Sequence, residues 1–222
     1  MGEKVKLHLG CGKRYLPGFL HIDIDNSVEH LDHCSDISDL SMFADDSVDE
    51  IYTCGAIGYY DPDERSALFE EWHRVLKKNG TLRISVVDFE KQIEVYLNSN
   101  KNLTHIGVMG PIFGIWNYKD NVWSVGSLDR SCWIDQGVFD FPIFGIWNYK
   151  DKNGVDRKAY KKTAYDFDTL RDVLLGHGFF DYKRYNWKDF LPDNYDDFSA
   201  AYVPHMDENG VHIMLNIECK KT

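Results

Sequence analysis

With 222 residues the chain is longer than the commonest single domain and too short for two, which points to one domain over 1–222 with an elaborated loop. Its formal net charge of −11, from 36 acidic and 25 basic residues, is the wrong field for a phosphate backbone, and the basic run Arg157 to Lys162 is a local exception. No apolar run approaches the roughly 20 residues that span a bilayer, and Met1 to Lys6 leaves no apolar stretch for a secretory leader, so no membrane span and a cytoplasmic location are expected. Cys11, Cys34, Cys54, Cys132 and Cys219 are scattered, with no close pair at metal-ligand spacing; free thiols and no metal are expected.

Taken in chain order, apolar periodicity predicts strands at Val5 to Leu9, Phe19 to Ile24, Val48 to Cys54 and Thr81 to Val87, each followed by turn-forming residues. The clearest helix runs from Pro62 to about Lys77. Asp61 suits its N-cap, Pro62 its first position, and Glu64 completes a capping box. Leu68, Trp72, Val75 and Leu76 form its buried stripe, and Gly80 is expected to stop it in the left-handed conformation. Helices follow over Phe89 to Leu97 and about Phe167 to Leu175, then strands over Phe179 to Tyr185 and Val211 to Cys219.

This alternation predicts an α/β fold: a doubly wound, Rossmann-like, mostly parallel sheet with an antiparallel edge strand, interrupted by an aromatic-rich lid insertion at about 98–162. Inside the insertion PIFGIWNYKD occurs twice unchanged, at Pro111 to Asp120 and Pro142 to Asp151. Two copies with unlike flanks make no solenoid; a local duplication and a doubled lid element are the two readings.

The first strand runs into Leu9, Gly10, Cys11 and Gly12, small residues that let the backbone approach a nucleotide closely. A dinucleotide fingerprint needs a third glycine that opens a helix, and Tyr15 stands there instead, which disfavours a nicotinamide-dependent oxidoreductase. Asp23, followed by Ile24, ends the second strand where a carboxylate would accept ribose hydroxyl protons, with Asp25 as the alternative if the register slips by two. The interval from Gly12 is about half the usual 20 residues, so the first helix must be truncated. Asp36 is either an adenine acceptor, with the Ile37 backbone at the ring edge, or an N-cap for Ile37 to Phe43. Cys54 and Gly55 end another strand at the edge where ligands bind in open α/β sheets.

LGCG, HIDID, DIS, VDEIYT, EEWHRVLKKNGTLRISVVDFE and DFDTLRDVLLGHGF, in this order, resemble the class I S-adenosylmethionine (SAM)-dependent methyltransferases, notably the methyltransferase type 11 group. The short interval before Asp23 and DDFSAAYVPHMDENG, from Asp196 to Gly210, resemble a small bacterial subfamily often associated with surface-polysaccharide genes. The resemblance implies SAM as cofactor, with Gly10 and Gly12 along its methionine part, Asp23 at the ribose, Asp36 and Ile37 at adenine, and the Thr53 to Ala56 loop lining the site. It implies methyl transfer to a small-molecule or sugar acceptor. One departure is Ala56-Ile57-Gly58-Tyr59-Tyr60, where many relatives carry a histidine or a Glu-His pair; it leaves open a SAM-binding module without turnover.

Methyl transfer from a sulfonium needs alignment more than covalent catalysis, and a hydroxyl acceptor adds a general base. Asp88 and His205 are the candidate bases, each with a structural alternative: a cap for the helix from Phe89, and a loop-stabilising ring. Trp147, Tyr160 and Tyr165 are candidates for shaping the acceptor pocket or for core packing.

Overall fold

In this computed structural model the described residues are 4–98, 100, 117–119, 122–124, 146–193, 195, 197–203 and 208–222. The N-terminal run gives β1 (Lys6–Leu9), β2 (Leu20–Asp23), β3 (His33–Cys34) and β4 (Val48–Cys54), then α1 (Pro62–Val75), β5 (Leu76–Val87) and α2 (Phe89–Asn98). Two hairpins follow, β6 (Asn117–Lys119) with β7 (Val122–Ser124), and β8 (Ile146–Lys150) with β9 (Asp156–Tyr160). Last come α3 (Phe167–Gly176), β10 (Phe179–Arg184), the short pair β11 (Tyr202–Val203) and β12 (Val211–His212), and β13 (Met214–Lys221).

Seven strands form one sheet in the order β10-β13-β5-β4-β1-β2-β3. The pairs β1 with β2, β2 with β3, β1 with β4 and β4 with β5 are parallel, while β13 runs antiparallel to both β5 and β10. The antiparallel strand therefore lies one place in from the edge, which β10 takes. From β1 the chain winds outward one way to β2 and β3 and the other way to β4 and β5, so the switch point falls beside β1, where ligands bind in such sheets.

Alternation assigns the faces. Leu7, Leu9, Ile22, Ile51, Leu82, Ile84, Leu215 and Ile217 share one core with Leu68, Phe69 and Trp72 of α1 and Leu170 and Leu174 of α3. Both halves of the α1 capping box form: Asp61 accepts from the Asp63 and Glu64 N–H groups, and Glu64 Oε2 accepts from the Asp61 N–H at 2.9 Å. The end of α1 differs from expectation. The helix stops at Val75, Asn79 holds the left-handed conformation (φ 60°), and Gly80 is needed for close approach, because a Cβ there would lie 2.7 Å from the Lys77 carbonyl oxygen.

The other face carries no helix from the β1–β2 crossover, which is a loop closed by turns at Cys11 to Arg14 and Leu16 to Phe19. Ten residues holding Pro17 and Gly18 leave little room for a helix plus two turns. Instead Leu16, Phe19 and the return segment with Trp187, Phe190, Leu191 and Tyr195 pack over Tyr52. Beneath them a ladder of charges crosses five strands: Lys6 to Glu50 at 3.0 Å, Glu50 to Arg83, Arg83 to Glu218 at 2.6 Å and Glu218 to Lys183 at 3.1 Å. The Phe190 ring lies 4.5 Å from the Arg83 guanidinium and shields it.

Arg83 is the centre of that ladder, between side chains that are only 12% and 8% exposed. Arg83→Met, which leaves two screened carboxylates short of a partner, is expected to cost about 2–3 kcal/mol in urea unfolding, whereas Lys183→Met at the exposed end should cost under about 0.5 kcal/mol. Equal effects of the two would show that the ladder is a surface feature.

Candidate active site at the carboxyl edge

Leu9 pairs with Ile22 on one side and Thr53 on the other, so the carboxyl ends of β1, β2 and β4 lie level. The chain leaves β1 through Gly10 and Gly12, both with positive φ (65° and 51°). Gly10 is clamped: its N–H donates to the Ile22 carbonyl at 2.8 Å, and a Cβ would fall 2.7 Å from that of Ala56. Gly12 is open, with nothing within 4 Å of a Cβ position, and Gly55 at the end of β4 is equally open (φ 78°). Two glycines thus leave backbone bare at this edge.

Asp23 turns toward the glycine turn. Its Oδ2 accepts from the Gly12 N–H at 2.7 Å and its Oδ1 from the Asp25 N–H at 2.9 Å. The residue is 2% exposed, and burial raises its pKa against the pull of these donors and of the Ile24 N–H. Asp25 is committed elsewhere: it accepts from Ser27 N–H and Oγ and from the Lys150 N–H at 3.1 Å. Burial opposes its charge, but these donors together hold its pKa low.

Asp36 Oδ1 accepts from Ser38 N–H, Ser38 Oγ and the Tyr60 hydroxyl, the last at 2.7 Å. No helix forms over Ile37 to Phe43, and Asp36 caps a turn there. The Ile37 carbonyl accepts from the Trp72 indole at 2.8 Å inside the core.

Above this edge the β8–β9 hairpin makes a strap. On the β2 side Asn26 N–H donates to the Lys150 carbonyl at 2.8 Å. On the β4 side the Lys162 and Thr163 N–H groups donate to the Gly58 carbonyl at 2.6 and 3.2 Å, and Thr163 Oγ1 donates to the Tyr60 carbonyl. The hairpin is thus tied to the loops after β2 and β4, the two strands that flank β1. Strands β6 and β8 are drawn from the two copies of the duplicated segment, so the same residues form a hairpin strand twice.

A second opening lies two strands along, a cleft of about 570 Å³ lined by Asp88, Lys91, Glu94, Arg184, His212 and Met214 among others. Asp88 is fully buried; it caps α2 through the Glu90 N–H and pairs with Arg184 at 3.0 Å. His212 Nε2 lies 2.8 Å from the Ser199 carbonyl, and burial lowers its pKa, which keeps the ring neutral. His205 falls outside the described residues, as does the side chain of Trp147. Tyr160 is 43% exposed, and Tyr165 is a core residue whose hydroxyl meets Thr163.

Residues 7–84 match the family described as a methyltransferase domain. That match spans β1 to most of β5, the part of the sheet that carries the glycine turn. Solved structures of SAM-dependent methyltransferases share its fold. One from Archaeoglobus fulgidus (12% identity, TM-score 0.51) covers 99% of this chain and 87% of its own. Others come from Thermotoga maritima (15%, 0.50, covering 100% and 84%) and Clostridium acetobutylicum (12%, 0.50, covering 100% and 85%). No curated protein matches the sequence. Among the described residues no helix is long and apolar enough to cross a membrane. The glycine turn opens no helix, so it offers no helix N-terminus of the kind that holds a pyrophosphate in dinucleotide-binding folds.

Spatial roles that local sequence did not signal include Tyr60, whose hydroxyl fixes Asp36, and Asp197, a buried carboxyl that accepts from the Tyr52 hydroxyl and from Ser199. Asp23→Ala would strand the Gly12 and Asp25 N–H groups. A loss of about 1–3 kcal/mol in denaturant stability is expected even without ligand. Unchanged stability would show that the carboxylate is not bracing the turn.

Proposed function

We propose that this protein is a class I methyltransferase that holds SAM across the glycine turn and transfers its methyl to a hydroxyl of a small, sugar-like acceptor seated in the cleft along α2, β10 and β12. The supporting observation is that the open backbone at Gly12 and Gly55 and the polar cleft at Asp88 and Arg184 lie on one sheet edge. In this reading Gly10 and Gly12 pass the methionine part, Asp23 receives the ribose hydroxyls, and Asp36 and the Ile37 N–H meet adenine. Leu9, Cys11, Ile24, Cys54 and Gly55 complete the walls.

Bound there, SAM supplies a methyl on a sulfonium whose loss leaves a neutral thioether. The protein's part is alignment and exclusion of water. The strap excludes water by its ties to Asn26 and Gly58. In the cleft, Arg184 neutralises Asp88, and Lys91 and Glu94 pair at 2.8 Å, so the lining is rich in donors and acceptors with its charges matched. That lining suits a neutral polyhydroxyl compound better than an ion. Asp88, as cap and ion-pair partner, is a positioning residue here rather than a base. The proposed compartment is the cytoplasm, which suits the free thiols of Cys11, Cys34, Cys54 and Cys219.

Calorimetry with S-adenosylhomocysteine (SAH), then thioether release across a panel of sugars and sugar nucleotides, tests this reading. Arg184→Ala should lower kcat/KM for the acceptor by about tenfold or more, the loss of one charged hydrogen bond, and leave the SAH affinity unchanged. SAH binding without transfer to any acceptor would support a binding module instead.

A further inference from the structure

His212 ends β12 and lines the cleft together with Asp88 and Arg184. Its ring is fixed from behind. Nε2 lies 2.8 Å from the Ser199 carbonyl oxygen, which can only accept, so this nitrogen carries the proton of the neutral imidazole. The carbonyl is itself held: it also accepts from Asn216 Nδ2 at 3.0 Å, and the Ser199 N–H donates to Asp197 Oδ1 at 2.9 Å. Asp197 in turn accepts from the Tyr52 hydroxyl on β4. The ring of Tyr202, the cross-strand neighbour on β11, lies 4.8 Å away centroid to centroid and braces the imidazole from the side. A chain of hydrogen bonds thus runs from the sheet to the wall of the cleft and ends on a histidine whose tautomer it sets. Nδ1 is then the acceptor of the ring, and among the described residues no hydrogen bond is made to it.

We propose that His212 is the general base of the methyl transfer, an assignment that rests on the cofactor and acceptor reading given above. Nδ1 takes the proton of the acceptor hydroxyl as the oxygen bonds to the methyl carbon. The carbon–sulfur bond breaks with its pair going to sulfur, so the sulfonium becomes a thioether and His212 becomes an imidazolium. Charge is conserved: one cation is lost and one is formed.

The surroundings suit that exchange. Burial is the largest influence on the ring and lowers its pKa; the Ser199 carbonyl and Asp88 oppose it, and Arg184 adds to it. Asp88 at the start of α2 and Arg184 on β10 pair at 3.0 Å, and the other charges that α2 turns to the cleft, Lys91 and Glu94, pair at 2.8 Å. With both pairs matched, the ring is neutral at neutral pH and free to accept. When the imidazolium forms, the Nε2–H bond to the Ser199 carbonyl strengthens and steadies the new charge.

Two measurements test the assignment separately from the reading beneath it. In protein with 15N-labelled histidine and SAH bound, the His212 signals, assigned through their contact with the Tyr202 ring, should show a proton on Nε2 and none on Nδ1 at neutral pH. Nδ1 should gain its proton at a midpoint below the ordinary histidine value of about 6.5. Turnover of SAM is then followed as SAH formed with the panel of sugars. The kcat of the parent should fall on the acid side at that same midpoint, since protonation removes the base. His212→Asn should lose about 100-fold or more in kcat and lose the acid limb as well. It should bind SAH within about twofold of the parent, as expected of a group that acts in the transition state only. A neutral ring with its proton on Nδ1, a ring midpoint unlike that of kcat in the parent, or an acid limb that survives in His212→Asn would each overturn the assignment and leave the cofactor and acceptor reading intact. SAH binding with no transfer to any sugar would overturn the acceptor reading and the base with it.

Discussion

The carboxylate of Asp23 sets the geometry on which the rest of the site depends. It receives one N–H from the glycine turn after β1 and one from the loop after β2, so two crossovers that could diverge are held together over the switch point of the sheet. In most such folds a helix after β1 gives the turn its rigidity through packing. Here the crossover has no helix, and a buried acid that accepts from both loops does the holding. The group that braces the turn is the same one proposed to meet the ribose, so stability and cofactor affinity are linked at one side chain.

Loss of the helix also leaves a sheet face to be covered. Strands β1, β4, β5, β13 and β10 place charges there rather than apolar side chains, and the ladder from Lys6 to Lys183 lets five strands lie level without burying an unpaired ion. The return segment then closes the face with Phe190 and Leu191, and its Asp197 accepts from Tyr52 one strand position beyond the ladder. That segment is distant in sequence from the glycine turn yet packs beside it through Leu16, which couples the C-terminal third of the chain to the cofactor edge.

Local signals carried most of the architecture. Asp61, Pro62 and Glu64 announced the start of α1 because capping chemistry is contained within four residues, and the apolar alternation of Val48 to Cys54 marked β4 to the residue. The end of α1 was less legible: a glycine signals either a left-handed residue or a close approach, and only the neighbouring chain distinguishes Asn79 from Gly80 in those roles. The positions of Gly10, Gly12 and Asp23 could be read from their place at strand ends. Asp25 as a substitute for Asp23 could not be judged, because Ser27 and the distant Lys150 occupy it. The pairing of Asp88 with Arg184, 96 residues away, likewise has no local signature.

A crystal structure of the SAH complex tests the central claim most directly. The account predicts the ribose hydroxyls on Asp23 with its bond to the Gly12 N–H kept, and the thioether sulfur between Gly12 and the Cys54 to Ala56 turn, beneath the strap. Density for the ligand elsewhere, with Asp23 still enclosed by backbone alone, would contradict it.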